Sequence, residues 1–539
     1  MLEQLNNTNS SHVHTIGWGL SAYLPYYLYG SAKKISELID SNPQRDCALY
    51  LNLPLSSPDR LTQLSVNNSE IILFADPCRF GSEIRSQIRK VGDFVVHDAC
   101  VWAEQASNVQ AFQAQGEFLM QHIASNTAFA QPNHVMLFIN QLDRGGAERQ
   151  MVLLALGLRK LGWTVNLVTQ MQDSTESECW SAELIAAGVG RIVLPGSRQL
   201  WQTEPPSNTE LEWLRPLCQL LRPRGSHNVL SLSRLLKQYQ PELLISYLDD
   251  CNIPAALAGL IAGTPNILIA GRNLEPYKPW VSTDPDYYVT PMRHLHGWYQ
   301  HLLKFNHIRL FNNSIEGAIS YDQWLSAERP TAVVPNAVEV LPGLSTDVRL
   351  KHGFQPDDLV ILGIMRMSHE KNPSAFIRIV ESLHRKNKKI KAILLGDGPL
   401  KQEMQQLVEV SGLSEILIFA GKHPYPGDYL RQADLLLATS NVEGMPNAIL
   451  EAQVMACPLV ATAAGGTQEA LEPELHNRLA APGDETTLEN LVVEALRNLS
   501  DYKQLMLLVQ TRILSRRSVK NLAIQTINLR EQNLWQPRT

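Results

Sequence analysis

The chain has 539 residues, 44% of them hydrophobic and 19% charged, the balance of a soluble globular protein with room for three or four domains. Its formal net charge of −6 argues against a wholesale nucleic-acid binder. The seven cysteines are scattered without a C-x-x-C pair, which supports neither a zinc knuckle nor a disulfide framework and fits a reducing cytoplasm. Residues 1–10 are polar, with no basic start and no apolar core, so no signal peptide is expected. No apolar run approaches the roughly 18 residues a membrane span needs.

Residues 1–130 read as an N-terminal accessory α/β segment. A polar tail at 6–11 has a disordered composition. Apolar runs at 48–51, 71–75 and 94–97 read as strands, with a helix over 81–91 between the last two. Asp76, His97 and Asp98 fall at strand ends, where turn-forming and capping are the plain expectation. The aromatic stretch 18–29 suits a core, or a docking face.

From 134 the pattern becomes strand (134–139), glycine turn (140–146), helix (147–161) and strand (164–169), a βαβ unit. Gly145 and Gly146 lack a Cβ and let backbone come close to a ligand. The turn is not a G-x-G-x-x-G fingerprint, so nicotinamide binding gains no support. Strands follow at 191–194, 243–246 and 267–270, with 197–228 read as a polar insertion loop holding one short helix at 211–221. The crossover helix reads as 254–262, with Asp249 or Asp250 as its cap. Arg272 and Asn273 end a strand, placed to meet a substrate. The stretch 293–309 mixes arginine, lysine and histidine with Trp298, Tyr299 and Phe305. It reads as a surface helix, or as a face for an anionic membrane. His294 and His296 lack the carboxylate or thiol company that a metal would need.

After a linker at 341–353 a second αβ series begins, with strands at 359–365, 390–395, 416–420, 433–439 and 459–462. Two successive α/β lobes form a Rossmann-like pair facing a cleft: 131–340 and 341–515, with 516–539 closing the chain. Polar residues follow successive strands of the second lobe: Arg366 and Lys371, then 396–399 with Gly396, Gly398 and Pro399, then 443–451, then 465–469 with Gly466. Binding crevices in open α/β sheets lie at these carboxyl ends. Pro446 suits the first position of a helix, leaving amides around Gly444, Met445 and Asn447 to attract a phosphate. Two cations beside a helix start can stabilise a departing diphosphate. No D-x-D is placed there for a metal, so the cations would replace one.

The run Glu443-Gly444-Met445-Pro446-Asn447-Ala448-Ile449-Leu450-Glu451, with Arg366 and Lys371, resembles the retaining glycosyltransferases of family 4, which have the two-lobed GT-B fold. The resemblance covers residues 134–530. It implies that Arg366 and Lys371 grip the donor diphosphate, Glu443 faces the donor sugar and Glu451 holds the nucleotide ribose. It further implies that Gly396, Gly398 and Pro399 shape the nucleotide pocket, and that Gly145 and Gly146 approach the donor from the first lobe. The helix at 518–530 looks like the one that crosses back to that lobe. The expected reaction moves a hexose from a nucleotide sugar, UDP-linked for preference, to a glycan or lipid-linked saccharide at the inner membrane face, as in envelope polysaccharide assembly. No cofactor, metal or nucleic acid is expected. A sugar-nucleotide sensor or a UDP-sugar epimerase are the alternatives. Where many members carry a histidine after a first-lobe strand, this chain has Tyr247-Leu248-Asp249-Asp250, so Asp249 and Arg272 are the acceptor-side candidates.

Overall fold

The structure, a computed structural model, describes residues 14–18, 37–39, 49–50, 53–56, 58–64, 69–73, 82–91, 94–98, 108–123, 130–143, 145–172, 178–276, 289–341, 347–423 and 426–531. Asp76, the tail at 6–11 and most of the aromatic stretch 18–29 lie outside them. The N-terminal segment holds a sheet of β1 (His14–Trp18), β2 (Glu37–Ile39), β3 (Leu49–Tyr50), β4 (Leu53–Ser56), β5 (Ser69–Leu73) and β6 (Val95–Asp98). Their order is β3-β4-β2-β1-β5-β6, parallel except for the β3–β4 hairpin. The helix expected over 81–91 runs Ser82–Val91.

The first lobe is a parallel sheet of β7 (Gln131–Ile139), β8 (Thr164–Thr169), β9 (Gly190–Val193), β10 (Pro241–Tyr247), β11 (Asn266–Gly271), β12 (Ile308–Asn312) and β13 (Ala332–Val333). Its order is β13-β12-β11-β10-β7-β8-β9. The second lobe has β14 (Leu359–Ile364), β15 (Ile390–Leu395), β16 (Leu417–Gly421), β17 (Leu435–Ala438), β18 (Leu459–Thr462) and β19 (Leu479–Ala480), in the order β16-β15-β14-β17-β18-β19. Helices cover both faces of each sheet. The central strands are therefore buried on both sides and read as unbroken apolar runs.

The chain passes between lobes at a defined point. Val334 and Ala337 belong to the first lobe's core, Val338 and Leu341 to the second's. Val348, inside the stretch read as a linker, is also buried in the second core. On the return, Ile513 lies in the second core and Val519 in the first, and Val338 N donates to Arg517 O at 2.9 Å, tying the two crossings together. The Val519–Asn528 helix then packs on the Gly146–Lys160 helix. Beyond it, Arg530 pairs with Glu242 and stacks 4.6 Å from the Trp163 ring.

Four expectations need correction. The stretch 197–228 is no insertion loop: it holds Ser197–Thr203, Asn208–Leu220 and the start of Pro223–Tyr239. Ser207 and Glu210 form a capping box, and Pro223 sits in the first turn of its helix, where a missing N–H costs nothing. The crossover helix begins at Asp249, not 254, and neither Asp249 nor Asp250 caps it; Leu248 is the N-cap, with φ 78°. The 293–309 stretch does not present its aromatics to a membrane. Leu295, Trp298, Tyr299 and Leu302 are buried, and Trp298 meets Phe118 edge-on at 6.0 Å. His301 bonds the Phe112 carbonyl at 2.8 Å, so the Asn108–His122 helix of the N-terminal segment docks on this face. His296 donates to the Trp324 carbonyl at 3.0 Å. Pro446 is the N-cap of its helix, one place before the expected first turn. No helix among the described residues is long and apolar enough to cross a membrane.

The contact between the returning helix and the first lobe gives a stability prediction. A Cβ on Gly157 would lie 2.6 Å from the Val519 carbonyl and 2.9 Å from the Ala523 Cβ. Gly157→Leu should destabilise the protein by about 1–3 kcal/mol through overpacking, seen as a lower denaturation midpoint.

Candidate active site

In each lobe the direction of sheet building reverses beside the first strand, at β7/β10 and at β14/β17. The loops leaving these strands diverge and open a crevice. The loops after β14 and β17 carry Arg366, Lys371, Glu443 and Gly444. Lys371 Nζ lies 2.6 Å from Glu443 Oε1, and Ser440 Oγ donates to the same oxygen at 2.7 Å. Hydrogen bonds join the two loops: Asn441 N donates to Glu370 O at 2.8 Å, and the Thr439 hydroxyl Oγ1 to Asn372 O at 2.9 Å. Arg366 is exposed, and among the described residues its guanidinium has no hydrogen bond or ion pair.

Neighbouring loops press against this centre. Gly396 and Gly465 have φ of 134° and 49°, and a Cβ on them would fall 1.8 Å from Met365 O and 1.9 Å from Glu443 O. Only glycine fits either place. Gly398 lies against Met367 O and Gly466 against Gly444 O, with Pro399 exposed beside them. The Asn447–Val454 helix starts here. Its first-turn amides have no partner within the helix. The amides of Gly444 and Met445 donate to nothing among the described residues. Met445 turns its side chain into the second lobe's core and leaves its backbone at the turn.

The first lobe meets this surface directly. Gly145 is the N-cap of the Gly146–Lys160 helix, so a second helix start opens onto the same place. Asn447 Nδ2 donates to Gly146 O at 3.0 Å, while its Oδ1 accepts from Gln150 Nε2 at 3.1 Å and Asn336 Nδ2 at 2.8 Å. The Asn447 side chain is therefore held by the first lobe, and only its backbone amide is left for a ligand. Glu451 is 6% exposed and pairs with Arg149 Nε at 3.3 Å. Burial pushes its carboxyl above the usual range, and Arg149 opposes that. Glu469 reaches across to accept from the amides of Ile315 at 2.6 Å and Glu316 at 3.0 Å, at the start of the Ile315–Leu325 helix.

The acceptor-side candidates separate. Arg272 is at the meeting of the lobes: a Cβ on Gly444 would be 2.4 Å from its carbonyl oxygen. Its guanidinium stacks 4.4 Å from the Tyr247 ring and donates from Nη2 to Asn336 Oδ1, while Nε and Nη1 are enclosed without a partner among the described residues. Burial lowers its pKa. Asp249 instead accepts from Tyr299 Oη at 2.5 Å and Tyr321 Oη at 2.6 Å, both tyrosines being fully buried. Its carboxylate is a fixture of the first lobe's interior. Glu148 folds over Gly145, and burial raises its pKa, with Asp143 and Asp250 adding to the rise.

Arg149, Gln150 and Asn336 were not among the site residues the sequence suggests, whereas Glu469 lies within the 465–469 stretch that it does. Arg149 and Gln150 lie just inside the helix that the Gly145–Gly146 turn opens, and Asn336 follows Pro335 after β13. None forms a motif, because each takes a partner on the opposite lobe.

With this geometry in hand, the chain can be compared with known proteins. Residues 356–498 match the family model described as Glycosyl transferases group 1. The chain is similar to the Vi polysaccharide biosynthesis protein VipC/TviE of Salmonella typhi, 29% identical over 355 residues, which is 62% of this chain and 60% of that protein. It thus spans about three fifths of that relative's length. It is also similar to the Campylobacter jejuni GalNAc-alpha-(1->4)-GalNAc-alpha-(1->3)-diNAcBac-PP-undecaprenol alpha-1,4-N-acetyl-D-galactosaminyltransferase, 22% identical over 278 residues, 51% of this chain and 71% of that one. Among solved structures, Anabaena Alr3699/HepE in complex with UDP and glucose aligns with a TM-score of 0.57 at 18% identity, over 74% of this chain and 99% of that one. The fold of the two lobes is GT-B.

The ion pair between the lobes is open to test. Arg149→Met would leave Glu451 buried without its partner. The expected loss is about 3 kcal/mol of stability, read as a lower unfolding midpoint at neutral pH. An unchanged midpoint would mean the pair contributes nothing.

Proposed function

We propose that this chain is a retaining glycosyltransferase that moves a hexose from a UDP-sugar to a hydroxyl of a glycan or lipid-linked saccharide in polysaccharide assembly, without a metal. The observation that carries this reading is the Lys371–Glu443 pair, set beside the unengaged amides of Gly444 and Met445 at the start of the Asn447–Val454 helix. The matched family model, the Vi polysaccharide relative, the Campylobacter transferase named for an undecaprenol-linked glycan and the UDP and glucose held in the HepE complex support the same direction.

The chemistry follows from charge. Breaking the bond between C1 of the sugar and the β-phosphate oxygen leaves negative charge on the diphosphate. Lys371 and Arg366 neutralise it, and the helix-start amides donate to it. The acceptor oxygen attacks C1 on the face the phosphate leaves, and its proton passes to the departing phosphate oxygen. Configuration at C1 is thereby retained. Glu443 orients the Lys371 ammonium and offers its second oxygen to sugar hydroxyls; Glu451 is the ribose contact. The facing lobes exclude water, which limits hydrolysis of the donor.

Arg366→Ala and Lys371→Ala should each lower kcat/KM by about 2–4 kcal/mol, roughly 30- to 1,000-fold, as loss of an electrostatic donor does. Unchanged turnover in both would place the phosphate elsewhere. Transfer from a panel of UDP-sugars, followed by NMR of the product's anomeric proton, tests the reaction itself. Free epimerised sugar, or UDP binding without turnover, would favour an epimerase or a sensor. Activity should persist in excess EDTA, and its loss would establish a metal requirement.

A further inference from the structure

Three carboxamides meet where the lobes are hinged. The chain changes lobes between Ala337 and Val338, and two buried side chains flank that step. Gln150 brackets Ala337, accepting from its amide at 2.9 Å and donating to its carbonyl at 2.8 Å. The second Gln150 Nε2 proton goes to Asn447 Oδ1 at 3.1 Å. Asn336, 2% exposed, uses both Nδ2 protons on the other lobe: to Met445 O at 2.9 Å and to Asn447 Oδ1 at 2.8 Å. Its Oδ1 accepts from Arg272. Both lone-pair directions of Asn447 Oδ1 are thus filled from residues at the hinge, and its Nδ2 is fixed on Gly146 O at 3.0 Å.

We propose that Gln150, Asn336 and Asn447 are positioning residues that set the angle between the lobes and hold the Gly444–Met445 turn in register with the Gly146 helix start, so that both helix starts address one diphosphate. The inference rests on the proposed donor seat for its ligand, but its structural half does not. None of the three side chains needs to touch the donor. Asn336 acts through the Met445 carbonyl, whose peptide unit precedes the helix; Asn447 acts through the placement of its own backbone amide. Buried amides suit this task. Each hydrogen bond is directional, and breaking one leaves a buried polar group unsatisfied, so the network favours a single lobe angle over a range.

The test uses the full chain with one spin label on each lobe, at the exposed positions Lys237 and Glu409, and measures the interlobe distance distribution without ligand. Calorimetry with UDP runs in parallel. Asn336→Ala should broaden or shift the distribution and weaken UDP binding about tenfold. Asn447→Ala should do the same, and the double variant should lose little more than either single one, because both remove the same coupling. Either single variant serves if the other fails to fold. A distribution identical to that of the unsubstituted protein, or fully additive losses in UDP affinity, would overturn the proposal. If the unsubstituted protein binds no UDP, the donor reading fails, while the distance measurement still decides whether the three amides set the lobe angle.

Discussion

A lysine ammonium held 2.6 Å from a glutamate, at the mouth of a helix whose first amides have no partner among the described residues, is a place prepared for an anion. No single part is strong enough alone. A helix end contributes up to about 2 kcal/mol to an anion in a favourable, partly buried geometry, and a charge-assisted hydrogen bond about 1.5–3 kcal/mol. Lys371, Arg366 and the amides of Gly444 and Met445 must act on the same group to matter. The sheet order brings them together: β14 and β17 are neighbours whose following loops leave on opposite sides, and the site occupies the gap.

The two lobes share the construction of this seat. A second helix start at Gly146 faces the one at Asn447, and the contacts between lobes are polar: Asn447 on Gly146, Arg149 on Glu451 and Glu469 on the amides of Ile315 and Glu316. Where these groups are buried, as Gln150 and Asn336 are, each bond is costly to break without a replacement. The carboxamides beside the crossings at Ala337–Val338 and Arg517 tie the hinge to the donor helix.

Much of this was legible from residue order, and the reason is physical. Strands buried on both faces appear as apolar runs, so β7, β14, β15 and β18 stand out, and the polar residues that follow them mark the carboxyl ends. The 443–451 run was readable because strand, turn and helix occur in sequence. Other features were hidden. The helices over 197–239 carry internal and leading prolines that mimic loop composition, and only the burial of Leu214, Leu217, Val229 and Leu232 reveals their packing. Asp249 looks like a strand-end acid with a ligand to meet, yet two buried tyrosines hold it. Asn447 read as a donor contact, but its side chain is engaged across the lobes. Arg149 and Asn336 acquire meaning only from partners on the opposite lobe, some three hundred and one hundred residues away in the chain.

The most direct measurement is a crystal structure of the protein with UDP. The β-phosphate oxygens should lie within hydrogen-bond distance of Lys371 Nζ and of the Gly444 or Met445 amide, with the ribose against Glu451. A diphosphate bound elsewhere, with Lys371 still closed on Glu443 and those amides unused, would contradict this placement.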